Sequence, residues 1–254
     1  MMFDYRPPPD LLAGRVILLT GAGGGIGRAC ALGLLAHGAE VVLLGRDEGK
    51  LEKLYDEAET AWPGRCHIQP VDLARVGEAE CDAIAAGIAE RFPALDGLVH
   101  NAALLGPRAP LAHYGEAHWR EVMQVNVHAA FLLTRALLPA LEQSADARVL
   151  FTASAVGREG RAFWGAYGVS KFAVEGLMQT LAAEVGTTTS IRVNSLNPGA
   201  TRTAMRAAAY PGEDPSTLPA PESLMPVYLY LLGPEARHIH GQALNAQDFD
   251  PSLL

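Results

Sequence analysis

The sequence predicts an α/β domain built on a doubly wound, mostly parallel sheet of seven strands. Three observations carry that expectation. Short apolar runs rich in β-branched residues alternate with longer stretches of helical spacing, the pattern of a parallel sheet covered on both faces. A length of 254 residues suits one large domain of this class. An apolar fraction of 49% against 19% charged residues supplies a core of that size.

The elements follow in order. An apolar run at 16–19 enters a glycine-rich turn, and helical spacing continues over 25–37. A second run at 41–44 precedes a helix over about 48–60. Helical spacing over 76–91 leads to a short strand at 98–99. One long helix is expected over 116–141, then a strand at 149–151, a helix over 164–185 and a strand at 191–193. Right-handed crossovers place successive strand C-termini along one sheet edge, so loops leaving that edge should build any site. Residues 1–254 read as a single domain without repeat or linker. Residues 1–14 are expected to form an N-terminal extension with Pro7, Pro8 and Pro9, and with no apolar run at 1–10 no signal peptide is expected there. Residues 201–226 carry Pro211, Pro215, Pro219, Pro221 and Pro226. That stretch is irregular, too long for a connector, and is expected to be a substrate loop or lid.

Composition excludes several function classes. A net charge of −8 argues against a nucleic-acid or anionic-membrane partner held by bulk electrostatics. No run approaches 18 consecutive apolar residues, so no membrane span is expected. Cys30, Cys66 and Cys81 form neither a C-x-x-C motif nor an even set. They read as reduced thiols of a cytoplasmic protein. His238 and His240 lack a third ligand, so no metal is expected. The cations divide into 17 Arg and only three Lys (Lys50, Lys53, Lys171). A lysine retained against that bias is a candidate for work that arginine cannot do.

Thr20 to Gly27 reads T-G-A-G-G-G-I-G, directly after the first strand and opening a helix. Gly21, Gly25 and Gly27 permit positive φ and close backbone approach to a pyrophosphate, and Ile26 lies among them. The helix start offers free N–H groups and partial positive charge to that anion. The second strand ends Gly45-Arg46, where dinucleotide folds place a carboxylate for ribose hydroxyls or an arginine for a 2′-phosphate. Gly45 in the acidic slot and Arg46 beside it favour NADP(H) over NAD(H). Asp47 is the competing carboxylate and is expected instead to cap the next helix.

Tyr167 and Lys171 form Y-x-x-x-K in a helical segment, so phenol and ammonium share one face. A nearby cation favours phenolate and lowers the tyrosine pKa, which suits a general acid/base for a carbonyl or alcohol. Ser154 follows the 149–151 strand and should face the Tyr167 helix, where its hydroxyl could polarise a carbonyl oxygen. Asn126 is an amide in an apolar helical segment. It is expected either to bond the local backbone or to hold a water beside Lys171. Trp164, Phe163, Met205 and Tyr210 are candidates for an apolar pocket, and Arg202 and Arg206 flank the expected lid.

T-G-x-x-x-G-I-G, Asn101-Ala102-Ala103, Asn126, Ser154, Tyr167-x-x-x-Lys171 and Asn197-Pro198-Gly199 together resemble the short-chain dehydrogenase/reductase family, from about residue 15 to 245. Gly-Arg-x-Gly-Arg-Ala at 157–162, Trp164 to Tyr167 and the stretch 197–206 most resemble its YciK-like subgroup of oxidoreductases. The resemblance implies a Rossmann-type fold and hydride transfer between NADP(H) and a small-molecule carbonyl or secondary alcohol. It implies Tyr167 as general acid/base, Lys171 on the nicotinamide ribose, Ser154 on the substrate and Asn126 holding a relay water. Asp72 would meet the adenine edge and Asn101 would lie near the adenosine ribose, supporting the central sheet. Pro198, Gly199 and Thr203 would border the nicotinamide. A homodimer or homotetramer through helices near 116–141 and 164–185 is implied too. Ala103 stands where the family has glycine, His100 reads as a sheet-end residue, and Ala246-Gln247-Asp248 departs from the usual C-terminal motif. The alternative is a catalytically silent nucleotide-binding regulatory or scaffold protein on the same fold.

Overall fold

A computed structural model describes residues 3–254. Met1 and Met2 of the expected N-terminal extension lie outside the described residues. Seven strands form one sheet: β1 (Val16–Thr20), β2 (Glu40–Gly45), β3 (Cys66–Pro70), β4 (Gly97–His100), β5 (Arg148–Thr152), β6 (Arg192–Asn197) and β7 (Ala243–Asn245). Their order is β3-β2-β1-β4-β5-β6-β7 and every pairing is parallel. The order reverses between β1 and β4, which opens a crevice at the carboxyl ends of those strands.

Five strands coincide with apolar runs of the sequence, though β6 begins at Arg192. β3 and β7 lie at the two edges and carry no such run. β3 is Cys-His-Ile-Gln-Pro, mostly half-buried, and β7 has three residues. An edge strand is sheltered on one side only, so its composition need not be apolar.

Side chains alternate across the sheet. Ile17, Leu19, Val41 and Leu43 face α1 (Gly25–Ala36), α2 (Glu48–Ala61) and α8 (Met225–Leu232). Leu18, Val42, Leu44, Leu98 and Val149 face α3 (Glu78–Arg91), α5 (Ala129–Glu142) and α6 (Gly165–Val185). The helix expected over 116–141 is interrupted. α4 (Glu116–Met123) joins α5 through a π turn at Gln124–His128, and Asn126 sits in that turn. Such widened turns admit a side-chain partner that a regular helix would exclude.

The stretch 201–226 is more ordered than its prolines suggest. Thr203 accepts from the Arg206 N–H at 3.1 Å and caps α7 (Ala204–Ala209), followed by two short 3-10 turns. The N-terminal segment is docked too: Phe3 meets Phe249 edge-on at 4.9 Å and Tyr5 meets Tyr230 at 5.2 Å. At the amino edge of the sheet the Asp146 carboxylate accepts from buried Arg148 at 2.7 and 3.0 Å, Arg15 at 3.1 Å and Arg237 at 3.2 Å.

Candidate active site

A cavity of about 430 Å³ occupies the crevice at the carboxyl edge of the sheet. The β1–α1 turn forms one wall. Gly21 has φ +70°, and a Cβ there would stand 2.8 Å from the Ala102 backbone, so glycine is required. Asn101 donates through Nδ2 to the carbonyls of Thr20 (3.1 Å) and Gly21 (3.3 Å), and Thr20 Oγ1 accepts from the N–H groups of Asn101 and Ala102 at 3.0 Å. The two central strand ends are thereby locked together. Gly25, with φ +51°, and Ile26 line the cavity at the start of α1.

Gly27 does not itself line it. A Cβ at Gly27 would stand 2.1 Å from the Gly21 carbonyl oxygen, so this glycine lets α1 press against the turn. Gly24 lines the cavity in its place, with open space where a Cβ would stand. It sat in the glycine run as a spacer, and only the direction of the backbone distinguishes the two positions.

At the end of β2, Arg46 lines the cavity and Asp47 does not. Asp47 accepts from the Lys50 N–H at 3.1 Å and pairs with its ammonium at 3.1 Å, the expected helix cap. Those contacts hold its carboxyl below the usual range. Asp72 lines the cavity and accepts from the Ala74 N–H at 3.1 Å.

Tyr167 and Lys171 share one face of α6, as the spacing requires. Lys171 Nζ lies 5.6 Å from the Tyr167 ring centre and donates to the Thr152 carbonyl at 2.6 Å. Ser154, after β5, lines the same cavity. The electrostatics differ from the expectation. Burial raises the Tyr167 pKa, with Ser154 acting in the opposite sense. Burial brings Lys171 down to about 8, with Glu175 opposing.

Asn126 bonds backbone, but not that of its own helix. Oδ1 accepts from the Leu104 N–H at 2.7 Å, and Nδ2 donates to the Leu104 carbonyl at 3.0 Å and to Ser170 Oγ at 2.9 Å. It braces the β4–α4 loop against α6, one residue from Lys171. A cavity of about 10 Å³, too small for more than a single water, lies among Asn126, His100 and Lys171. His100 is buried, bonded to Thr134 Oγ1 at 2.8 Å and stacked on Phe151. Burial pushes its pKa down to about 3, so the ring is neutral.

Pro198, Gly199 and Thr203 line the far wall, with Trp164, Met205 and Tyr210 beyond them. Phe163 is exposed and is not part of the cavity. Arg206 also lines the cavity, but Glu213 accepts from both ends of its guanidinium at 2.6 Å and Tyr210 stacks on it at 3.8 Å. Arg202 stays off the wall. Arg108, which no sequence motif marks, lies over Trp164 at 4.6 Å and Tyr210 at 5.1 Å and donates to the Ala209 carbonyl.

Both ring nitrogens of His240 are engaged, with the Val193 N–H (3.2 Å) and the Ala182 carbonyl (2.9 Å). No group of three or more potential metal ligands occurs among the described residues. None of their helices is long and apolar enough to cross a membrane.

Comparison with known proteins agrees with this fold. The family model for short chain dehydrogenases matches residues 15–214. The uncharacterized oxidoreductase YciK of Escherichia coli strain K12 is 48% identical over 245 residues, 96% of each chain. A candidate short chain dehydrogenase from Pseudomonas syringae has a solved structure that is 55% identical. It superposes with a TM-score of 0.93, covering 97% of this chain and 100% of that one. A candidate short chain dehydrogenase from Escherichia coli CFT073, solved in complex with NADPH, is 47% identical with a TM-score of 0.92, covering 95% and 100%. With most of its length matched by the family model and a close likeness to such relatives, the chain belongs to the short-chain dehydrogenase family.

Proposed function

We propose that the protein is an NADP(H)-dependent oxidoreductase acting on a small-molecule carbonyl or secondary alcohol, with Tyr167 as general acid/base. The observation that carries this reading is the meeting of Tyr167, Ser154 and Lys171 in one cavity with the glycine turn. A scaffold protein has no need of a phenol, a hydroxyl and a buried ammonium gathered there.

The residues present fit a dinucleotide. The open space in front of Gly24 and the first N–H groups of α1 suit a pyrophosphate. Arg46 enters none of the ion pairs among the described residues and is free to grip a 2′-phosphate. The NADPH complex of the CFT073 relative supports the same choice. Asp72 and Asn101 would meet the adenosine, and Pro198, Gly199 and Thr203 the nicotinamide. When bound, the nicotinamide supplies or accepts the hydride.

In the reductive direction Ser154 donates a hydrogen bond to the substrate oxygen. Tyr167 passes its phenolic proton to that oxygen as negative charge develops there. Lys171 stabilises the phenolate left behind and would bind the nicotinamide ribose. Asn126, through Leu104 and Ser170, sets the distance between the β4–α4 loop and α6 and would border the relay water. The 201–226 stretch acts as substrate loop, with Met205 and Tyr210 on the wall. Exposed Phe131, Val169 and Phe172 on α5 and α6 support a homodimer or homotetramer through those helices. The three buried free thiols suit a reducing, cytoplasmic setting.

Tyr167→Phe tests the reading. Turnover in a screen of carbonyl compounds with NADPH should fall at least ~100-fold, while NADPH still raises the melting temperature. Equal turnover in both forms would remove Tyr167 as the acid.

A further inference from the structure

Beyond Tyr167 and Lys171, α6 carries a further buried ionisable group that the proposed chemistry does not use. Glu175 lies one helical turn beyond Lys171 and is 5% exposed. Its Oε1 accepts from Arg158 Nε at 2.8 Å and its Oε2 from Ser195 Oγ at 2.5 Å. Arg158 continues outward, donating to Asn245 Oδ1 at 2.8 Å and to the Leu244 carbonyl at 3.0 Å. Asn245 Oδ1 accepts in turn from Asn197 Nδ2 at 3.0 Å, and Asn197 Oδ1 accepts from the Gly199 N–H at 3.1 Å.

One polar chain thus joins α6, the β5–α6 loop that follows Ser154, the ends of β6 and β7, and the Gly199 turn on the cavity wall. A buried ion pair is costly to assemble and weak evidence of stability in itself, so its placement between these segments calls for another reason.

Building on the proposed function, we propose that Glu175, held by Arg158 and Ser195 one turn from Lys171, is a positioning residue that sustains the Lys171 ammonium and ties the helix that carries it to the Gly199 turn.

Lys171 is 4% exposed and makes one hydrogen bond, to a neutral carbonyl. The titratable groups around it are few. Tyr167 and Glu175 share its helix. His100 faces it across the small cavity from β4 and is neutral. Arg158 is carried by the loop whose Gly157 packs on the Lys171 Cβ. Arg46, Asp72 and Arg206 line the wider cavity. Of these, Glu175 is the buried carboxylate, and Arg158 tempers its field.

The chain contains three lysines, so the test does not depend on knowing the substrate. With 13C-labelled lysine, three Cε signals are followed against pH in the full-length protein, and Lys171→Arg identifies the Lys171 signal. The wild-type midpoint is expected near 8, apart from surface lysines near ~10.4. Glu175→Gln should lower it by about 0.5 pH unit or more, and Arg158→Gln should raise it. General destabilisation cannot move one midpoint in opposite directions. Should Glu175→Gln not fold, Arg158→Gln with Glu175→Gln removes both members of the Arg158–Glu175 pair and strands neither. Its midpoint should fall below that of Arg158→Gln. Glu175→Asp keeps the charge on a shorter arm, so the midpoint should hold while the Gly199 amide signal shifts. A Lys171 midpoint indifferent to Glu175 and Arg158 would overturn the inference, whatever the enzyme turns over. Loss of the proposed activity assignment would leave these midpoints where they are.

Discussion

Replacing Gly27 by alanine should destabilise the fold, whereas the same change at Gly24 should spare the fold and remove the cofactor. The added methyl at Gly27 would stand 2.1 Å from the Gly21 carbonyl oxygen and 2.7 Å from Asn101 Nδ2. Ordinary contact is near 3.5 Å, so α1 and the turn must part by about 1.4 Å. Overpacking of this kind costs about 1–3 kcal/mol. Moving the turn also weakens the two Asn101 bonds to Thr20 and Gly21, each contributing about 1 kcal/mol. A loss of about 3–5 kcal/mol corresponds to roughly 10 °C in melting temperature for a domain of this size. Gly24 has φ 179°, an extended backbone open to any residue, and no atom within 4 Å of the new Cβ. Its replacement at the helix N-cap costs about 1 kcal/mol or less. Gly24 lines the cavity, so its methyl is expected to take up space that the pyrophosphate needs. At a concentration 100 times the wild-type Kd, NADPH should stabilise wild type by about 2.7 kcal/mol and the Gly24 variant hardly at all. Scanning calorimetry with and without NADPH reads both effects. A Gly27→Ala protein as stable as wild type, or a Gly24→Ala protein that binds NADPH normally, would refute the assignment of the two glycines.

Three further outcomes are expected. Arg46→Ala should weaken NADPH binding by about 10-fold or more and leave NADH binding little changed, measured by calorimetric titration; equal losses for both would remove Arg46 from the 2′-phosphate. His100 is neutral when folded, with its pKa brought down to about 3, whereas an unfolded histidine titrates near ~6.5. Its contribution is therefore complete above ~6.5 and declines as pH falls towards 3, by on the order of 2 kcal/mol at pH 5, a decline that urea unfolding of His100→Phe should lack. Burial raises the Asp146 carboxyl, but Arg148 and Arg15 together outweigh it and hold the group below its ordinary value. The stability it contributes is thus present above ~3.9 and lost at more acid pH. Asp146→Asn would strand buried Arg148 and should cost about 3–5 kcal/mol at pH 7 in the same assay; a variant as stable as wild type would contradict this account.

Much of the site was legible because its signals are local. The T-G-A-G-G-G-I-G turn, the Y-x-x-x-K pair and Ser154 each depend on neighbours in the chain or on a strand end, and the structure brings them into one cavity. Asp47 as helix cap is equally local. What was not legible depends on distant partners. The close approach of Gly27 to the Gly21 carbonyl is one such contact. Nothing local in the chain marks the pairing of Arg206 with Glu213. Arg108 has no motif, because its partners are aromatic side chains more than fifty residues away.

The order of apolar runs and helical periods already specified a parallel doubly wound sheet and the edge on which chemistry would gather, since crossover handedness leaves little choice. Tertiary packing alone decided the charge states and the bracing. Burial raises the Tyr167 phenol and lowers the Lys171 ammonium, against what their spacing implies. The Asn126 amide spends its bonds on Leu104 and Ser170. Desolvation and long-range hydrogen bonding depend on which surfaces meet, and no linear pattern encodes that meeting.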